Sequence, residues 1–253
     1  MSTQLLDRHR HRKVELEGSL NCRDLGGLRT ADGRTTRRGR VFRSDALATL
    51  TADDQARLAD LGIRAVFDLR TQEERLRAPN RLPLGPTQHP VGFIPRGNPE
   101  MFQAVNAGQL DVAGTRATML QQYENLILDH TDRLAGVYRG LLGQPGVPAI
   151  IHCASGKDRT GIVSAVLLLA VGVRRDDVLE DYHISNFQRR PVDLFQGSAA
   201  AAAVEQIMCA VPEYLEVALA AAERKFGSLD DYLSRGVGLR DEERLALADL
   251  LVD

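Results

Sequence analysis

The sequence HCASGKDRTG occupies residues 152–161 and lies between two apolar runs. Residues 147–151 (VPAII) precede it, and residues 162–171 (IVSAVLLLAV) follow it. A short apolar run favours a buried strand, and a longer one after a glycine-containing turn favours a buried helix. We therefore predict a strand, a tight loop and a helix, with Cys153 at the turn.

The loop between these two elements has the properties of an anion site. Its backbone N–H groups are expected to point inward, with the N-terminus of the helix behind them. The same helix end favours the thiolate form of a cysteine that faces it, so we expect Cys153 to be ionised at neutral pH. Arg159 carries a planar fork of donors that matches two phosphate oxygens. A thiolate and an arginine around one phosphate-sized hole indicate phosphoryl transfer through Cys153.

Two other interpretations of the loop are weaker. A Walker nucleotide-binding loop needs Ser or Thr after its lysine and a glycine five residues before its second glycine, but Asp158 and Ile151 stand there. A buried, inert cysteine is also conceivable, although it leaves Lys157, Asp158 and Arg159 together without a role. Neither Cys22 nor Cys209 has an arginine six residues further on. The spacing therefore singles out Cys153.

The run from Cys153 to Thr160 resembles the C-x5-R-[ST] signature of cysteine-dependent phosphatases. The fuller string HCxxGKDRTG is similar to the bacterial tyrosine phosphatase family of the mycobacterial protein tyrosine phosphatase B type. Further strings similar to this family are NCRDLGG (21–27), FRSDAL (42–47) and FDLR (67–70) with Glu73 or Glu74 beyond it. The resemblance runs from about residue 18 to the C-terminus. Cys22 departs from the family, which usually has an aromatic residue there, and this changes packing.

The loop residues divide into a catalytic set and a phosphate cradle. We expect Cys153 to attack phosphorus in line and form a phosphocysteine, while Arg159 and the loop N–H groups hold the equatorial oxygens. Thr160 can donate its hydroxyl to sulfur, or it can simply cap the following helix. The predicted cradle residues are Ala154, Ser155, Gly156 and Lys157.

A leaving alkoxide or phenoxide needs a proton, so a general acid is required. The family that the sequence resembles assigns this task to the loop aspartate, which is Asp158 here. Asp24, Asp45 and Asp68 are the alternatives. Asp158 could instead only orient Arg159.

Other polar residues near the loop have less certain roles. His152 fits a buried histidine that supports the loop. Lys157 is either a solvated loop residue or a second cation for substrates with more than one phosphate. Arg43, Asp45 and Arg70 are expected at the carboxyl ends of strands, where they could brace the cradle. Pairing of Asp68 with an arginine is the alternative.

The composition narrows the class of protein. The net charge of −2 gives no reason to expect nucleic acid as a partner, and three cysteines without a pairing pattern argue against a disulfide scaffold. No run reaches the ~18 apolar residues of a transmembrane helix, and no signal-peptide core follows the basic N-terminus. We expect no cofactor and no metal, and a location that is cytoplasmic or reached by export without a recognisable signal.

We predict an α/β fold with a mostly parallel sheet flanked by helices. Residues 1–17 are expected to be a flexible basic tail, with anionic lipid binding as the alternative, and residues 18–253 a single domain. Residues 79–99 contain six of the ten prolines, which indicates an irregular stretch. The C-terminal half is expected to be helical. Its residues 198–211 are the candidate for a lid over the site, or an ordinary packed helix.

The resulting functional hypothesis is a metal-independent phosphatase. The resemblance implies phosphotyrosine, phosphoserine or phosphothreonine proteins as substrates, and phosphoinositides as well. A phosphate-binding module without turnover is the main alternative. Arsenate reduction by the same thiol is less suited, because no resolving cysteine is adjacent. Sulfur transfer by a single cysteine is a further alternative, although Lys157 and Asp158 give it no advantage.

Overall fold

The central strand of the sheet runs directly into the loop that contains Cys153. The computed structural model describes Asp7, residues 9–188 and residues 200–253. In the described part the strands are β1 (Arg23–Asp24), β2 (Val41–Ser44), β3 (Ala65–Asp68), β4 (Thr87–Pro90) and β5 (Ala149–His152). Their order is β1-β2-β5-β3-β4, with β1 antiparallel to β2 and the other neighbours parallel. The ends of β2 and β3 therefore flank the end of β5, as predicted for a mostly parallel sheet.

Helices surround this sheet and dominate the C-terminal half. They are α1 (Ala52–Asp60), α2 (Gln72–Arg77), α3 (Asn98–Asn106), α4 (Val112–Asp129), α5 (Thr131–Leu142), α6 (Asp158–Ala170), α7 (Arg175–Ile184), α8 (Ala201–Met208), α9 (Pro212–Phe226), α10 (Leu229–Asp231) and α11 (Asp241–Leu251). Two short turns accompany them, a 3-10 helix over Arg10–Arg12 and a π-helical turn over Tyr232–Gly236. No helix in the described ranges is long and apolar enough to cross a membrane.

The two faces of the sheet bury different clusters. Ile151 of β5 faces the larger cluster, which includes residues of α4, α5, α6 and α9. Its neighbour Ile150 faces the smaller cluster, which includes Leu58 of α1. Successive side chains of a strand point to opposite faces, so a strand covered on both sides is apolar throughout. The unbroken apolar run before Cys153 follows from this position.

The start of α1 is determined locally. Thr51 accepts a hydrogen bond from the Asp54 N–H at 3.2 Å, and the Asp54 carboxylate accepts one from the Thr51 N–H at 2.9 Å. This capping box satisfies two N–H groups that a helix start otherwise leaves unpaired. Gly62, with φ of +65°, follows the end of the helix.

The proline-rich stretch of residues 79–99 differs from the prediction. It contains β4, which extends the sheet beside β3, and the first residues of α3. Pro90 is tolerated in β4 because this is an edge strand, where a missing N–H interrupts no central ladder. Periodicity did not show this strand because its side chains are mostly exposed.

The N-terminal segment also differs from the predicted tail. Residues 1–6 and residue 8 lie outside the described residues. Arg12, in contrast, is only 1% exposed, and Val14 and Leu16 belong to the smaller buried cluster. Residues 9, 12, 14 and 16 are buried, unlike a flexible tail, and Arg12 donates to the buried carboxylate of Asp181.

Candidate active site

The loop after β5 passes very close to the end of β2. Cys153 is 1% exposed at its start, and Gly156 has φ of +66° at its middle. A Cβ atom on Gly156 would lie 2.6 Å from the Ser44 carbonyl oxygen and 2.7 Å from the Asp45 nitrogen. Any larger residue would therefore displace the loop, in addition to the cost of its left-handed backbone.

The three carbonyl groups of residues 154–156 all point away from a cavity that lies above the loop. The first accepts a hydrogen bond from the Ala46 N–H at 3.0 Å. Asn21 Nδ2 donates to the carbonyls of Ser155 and Gly156 at 3.1 and 3.2 Å. Arg43 Nη2 also donates to the Gly156 carbonyl, at 2.8 Å. In a planar trans peptide the N–H points opposite to the preceding carbonyl. The N–H groups of residues 155–157 therefore face the other way, as an anion cradle requires.

Arg159 is held beside the cradle by Glu74. Their side chains form two parallel hydrogen bonds of 2.7 Å, and Nη1 also donates to the carbonyls of Leu69 and Phe93 at 3.2 Å. Nε and the second N–H of Nη2 have no partner within the described ranges. Burial opposes the charge, but Glu74 outweighs it, so the pKa of Arg159 lies above its usual range. A charged fork is left available for two oxygens of an anion.

Asp158 is the first residue of α6, and its carboxylate lies at the cavity. Tyr123 donates its hydroxyl to Oδ1 at 2.6 Å, and the Tyr182 hydroxyl lies 2.5 Å from that of Tyr123. Burial and the Asp158 charge raise the pKa of Tyr123 well above its usual value, so Tyr123 stays a donor. Among the described residues Arg159 pairs with Glu74 and makes no ion pair with Asp158. Asp158 therefore does not hold Arg159 through an ion pair.

Lys157 is buried, and its ammonium group points to the end of α8. Nζ donates to the carbonyls of Ile207 and Cys209, the latter at 3.2 Å, and lies 3.0 Å from Asp158 Oδ1. A cation is favourable at a helix C-terminus, where unpaired carbonyls gather. The alternative of a solvated loop lysine is thus wrong, and Lys157 links the loop to α8.

Thr160 is fully buried in the first turn of α6. Its hydroxyl has no hydrogen-bond partner among the described residues, so the predicted contact with Cys153 is not formed here. Thr160 is also not the cap, because α6 begins at Asp158, two residues earlier. The buried hydroxyl is unusual, since nearly all such groups are paired.

The alternative aspartates are all engaged outside the cavity. Asp24 accepts hydrogen bonds from two glycine N–H groups, and Asp45 holds residues 19–21 through the Ser19 hydroxyl and the Leu20 and Asn21 N–H groups. Asp68 pairs with Arg70 at 2.7 Å. None of the three lines the cavity. Of the predicted carboxylates, the fold brings only Asp158 to it.

His152 and Arg70 are supporting residues. His152 is fully buried, with Nε2 3.4 Å from Asp68 Oδ2 and 3.3 Å from Asn80 Nδ2. This confirms the interpretation as a satisfied core histidine. Arg70 follows the alternative prediction, since it pairs with Asp68 rather than with the loop.

Beneath the loop, three arginines converge on one buried carboxylate. Asp181 of α7 accepts hydrogen bonds from Arg12 at 2.8 Å, Arg23 at 3.0 Å and Arg43 at 2.6 Å. Burial alone would raise the pKa of Asp181, but the three guanidinium groups hold it well below the usual range. Because Arg43 also donates to the Gly156 carbonyl, the prediction that it braces the cradle is confirmed.

Above the loop lies a cavity of about 410 Å³. Its floor includes Ala154, Ser155, Lys157, Asp158 and Arg159. Its walls are largely apolar, and they include Ile94, Met101, Phe102, Met119, Leu126, Ile207 and Met208. Helix α8, within the predicted lid, therefore forms one wall, while residues 198 and 199 of that prediction lie outside the described residues.

Four residues at this site were missed from the sequence. Asn21 and Glu74 stood in strings noted for their resemblance, and Glu74 also completes a capping box with Thr71. Tyr123 lies on a buried helix face, and nothing in the sequence indicated its contact with Asp158. Asp181 gave no signal, because its partners are remote in sequence.

This fold and site define the class of cysteine-dependent C-x5-R phosphatases. Residues 14–253 match the sequence profile of the tyrosine phosphatase family, and the chain belongs to that family. A protein of Cupriavidus necator named as a tyrosine-protein phosphatase is 34% identical over 84% of this chain and 80% of its own. The triple specificity protein phosphatase PtpB of Mycobacterium tuberculosis is 33% identical over 68% of each chain. The crystal structure of P. aeruginosa TpbA covers 75% of this chain and 90% of its own, at 18% identity and a TM-score of 0.28.

Proposed function

We propose that the protein hydrolyses phosphomonoesters through a phosphocysteine on Cys153, with phosphotyrosine in proteins as the preferred substrate. The observation that carries this proposal is the loop after Cys153, which forms the floor of the largely apolar cavity. Inward N–H groups of this loop and the unpaired edge of Arg159 meet at that floor. Such donors stabilise the charge that develops on equatorial phosphoryl oxygens.

The reaction proceeds in two displacements. The Cys153 sulfur attacks phosphorus, the bond from phosphorus to the leaving oxygen breaks, and Asp158 transfers a proton to that oxygen. Water then attacks the phosphocysteine, Asp158 takes up a proton from it, and the phosphorus–sulfur bond breaks to release phosphate. The buried Thr160 hydroxyl, which lacks a protein partner in the described part, is available to the departing sulfur.

Asp158 is the general acid in this proposal because it is the aspartate at the cavity. Tyr123 and Lys157 hold its Oδ1 and leave Oδ2 for the leaving group.

The substrate preference follows from the cavity walls. An aromatic ring gains from burial against Ile94, Phe102 and Met208, whereas an inositol ring would lose hydrogen bonds there. Lys157, the expected ligand for a second phosphate, already binds two carbonyls and Asp158. These contacts support phosphotyrosine over phosphoinositides.

The test of the mechanism is phosphate release from a phosphotyrosine peptide, in chelator and reductant, by the intact protein and by Cys153→Ser. We expect turnover that disappears in the variant. Equal release by both would show that sulfur is not the nucleophile. Phosphate binding without release by the intact protein would favour the non-catalytic binding module.

Asp158→Asn tests the acid. Its loss of kcat should be largest for substrates with poor leaving groups, since a good leaving group needs no proton. Equal losses for both kinds would contradict the assignment.

A panel of phosphotyrosine peptide, phosphoserine peptide and phosphoinositide tests the preference. We expect kcat/KM to be highest for the first. Preferred turnover of the phosphoinositide, with a selective loss in Lys157→Ala, would instead support the multi-phosphate role of Lys157.

A further inference from the structure

The carbonyl groups of residues 155 and 156 are held by a network of buried polar side chains. Asn21 Nδ2 donates to both, and Arg43 Nη2 donates to the second. Asn21 is 134 residues away from Ser155 and lies on a different element from Arg43. Asn21 and Arg43 therefore hold these peptide groups from the side opposite the cavity.

Both donors are connected to Asp181, Arg43 directly and Asn21 through Arg23. Arg43 Nη1 donates to Asp181 Oδ2 at 2.6 Å, and Arg23 Nε donates to Oδ1 at 3.0 Å. Arg23 Nη1 in turn donates to Asn21 Oδ1, which orients the amide so that Nδ2 faces the loop. All of these side chains are about 1% exposed, and Asp181 on α7 is their common anchor.

The orientation of these carbonyls matters for chemistry on the other side. A peptide plane is rigid, so a carbonyl pulled toward the network turns the following N–H toward the phosphate hole. If the donors were lost, the planes at residues 155–157 could rotate and present carbonyl oxygens to an anion. A preorganised donor is worth far more than one that must reorient during reaction.

We propose that Arg43 and Asn21, anchored by Asp181, are positioning residues that orient the N–H groups of the phosphate cradle. This inference rests on the proposed function for its catalytic consequence, although phosphate binding tests it separately. None of the three side chains lines the cavity, so they act only through the loop.

Two variants test the inference from different elements. Arg43→Met removes the donor to the Gly156 carbonyl and leaves Asp181 paired with Arg12 and Arg23. Asn21→Asp keeps the side-chain volume and the acceptor for Arg23, but it turns an acceptor oxygen toward the two loop carbonyls. If one variant fails to fold, the other still carries the test.

Arg12→Met is the matched control. Arg12 is equally buried and donates to the same Asp181 at 2.8 Å, but its other hydrogen bonds go to the Asp24 carbonyl and to His9, not to the loop. The control therefore removes the same charge from the same carboxylate without touching the cradle. Folding of all variants is checked by thermal unfolding before kinetics are measured.

For Arg43→Met and Asn21→Asp we expect inorganic phosphate to bind about tenfold more weakly or worse, measured by competitive inhibition and by titration calorimetry. The value of kcat/KM for a phosphotyrosine peptide should fall as well, because the same N–H groups stabilise the charge on the equatorial oxygens. Arg12→Met should keep both quantities, at whatever cost in stability.

Unchanged phosphate binding and an unchanged kcat/KM in a folded Arg43→Met or Asn21→Asp variant would overturn the inference. So would an equal change in Arg12→Met, since the network would then be only structural. Turnover that persists in Cys153→Ser would contradict only the proposed function. Weaker phosphate binding by Arg43→Met and Asn21→Asp would still support the positioning role.

Discussion

Below the loop, on the side of the sheet, lie buried charges that hold it through hydrogen bonds of fixed direction. Above it lies an apolar cavity whose walls come from residues 94–102 and helices α4 and α8. Hydrogen bonds weaken when they are bent and so favour one orientation of a peptide group, whereas apolar packing tolerates exchange of similar side chains. The two regions therefore have different tasks. The buried charges below the loop determine how phosphate is held, and the apolar cavity above it determines which organic group is bound.

The largest expected effect is on the lower side, in Asp181→Asn. This change leaves three buried arginines without their shared anion. Removing one partner of a buried ion pair costs about 3–5 kcal/mol. Urea unfolding of both proteins measures the loss.

Asp177→Asn on the same helix is the control. Its partner Arg174 is 56% exposed, so we expect less than about 1 kcal/mol. Equal losses in the two variants would mean that the buried cluster is not a special contributor to stability.

Acid should weaken the same cluster. The pKa of Asp181 in the folded protein lies well below the ordinary value of 3.8, and the pKa of Asp68 is lowered as well, through His152 and Arg70. Carboxylates of this kind stabilise the fold fully above their unfolded pKa, and the contribution is lost as the pH falls toward the folded pKa. The difference in unfolding free energy between the intact protein and Asp181→Asn should therefore be constant from about pH 8 to pH 5 and shrink below about pH 4. A constant difference down to about pH 2 would contradict the lowered pKa of Asp181.

We expect a smaller effect from Glu74→Gln, since Glu74 lines the cavity and also holds Arg159 of the loop. Gln can keep the cap of α2 through its oxygen, but it loses the charge that holds Arg159. We expect kcat/KM to fall about tenfold, because charge-assisted hydrogen bonds are worth roughly 1.5–3 kcal/mol. Steady-state kinetics with a phosphotyrosine peptide measure this.

Glu73→Gln is the adjacent control, since Glu73 is 80% exposed and pairs with Arg77 at the surface. Its kinetics should match the intact protein. A loss equal to that of Glu74→Gln would point to a general charge effect rather than to the Arg159 contact.

The smallest effect belongs to the upper side, in Met208→Ala. Loss of part of the apolar wall should raise KM for a phosphotyrosine peptide about threefold to tenfold, from the ~25 cal/mol of each Å² of apolar contact. Inhibition by inorganic phosphate should stay unchanged, because phosphate does not reach the wall.

Leu245→Ala, at a residue that is 66% exposed on α11, is the control for this change. A parallel weakening of phosphate inhibition in Met208→Ala would break the proposed division between the two sides.

Much of the local structure was predictable because it depends on neighbours in the chain. Thr51 caps the start of α1 through a hydrogen bond with Asp54, three residues further along the chain. The apolar run before Cys153 predicts a strand buried on both faces. The strand β4 was missed because its side chains carry no burial pattern. Residues 9–17 were misjudged because their basic composition is typical of a solvated tail, while Arg12 is in fact paired with a carboxylate 169 positions away.

The amino-acid sequence by itself determined the loop of residues 152–161, its strand and helix, and the C-x5-R spacing of Cys153 and Arg159. Short-range spacing and backbone geometry are sufficient for that. Only the tertiary structure decided which remote groups meet there: Glu74 on Arg159, Tyr123 on Asp158, and Asn21 and Arg43 on the loop carbonyls. It also turned Lys157 toward α8. Such contacts depend on how helices and strands pack, and the spacing of residues along a chain does not contain the direction in which a side chain finally points.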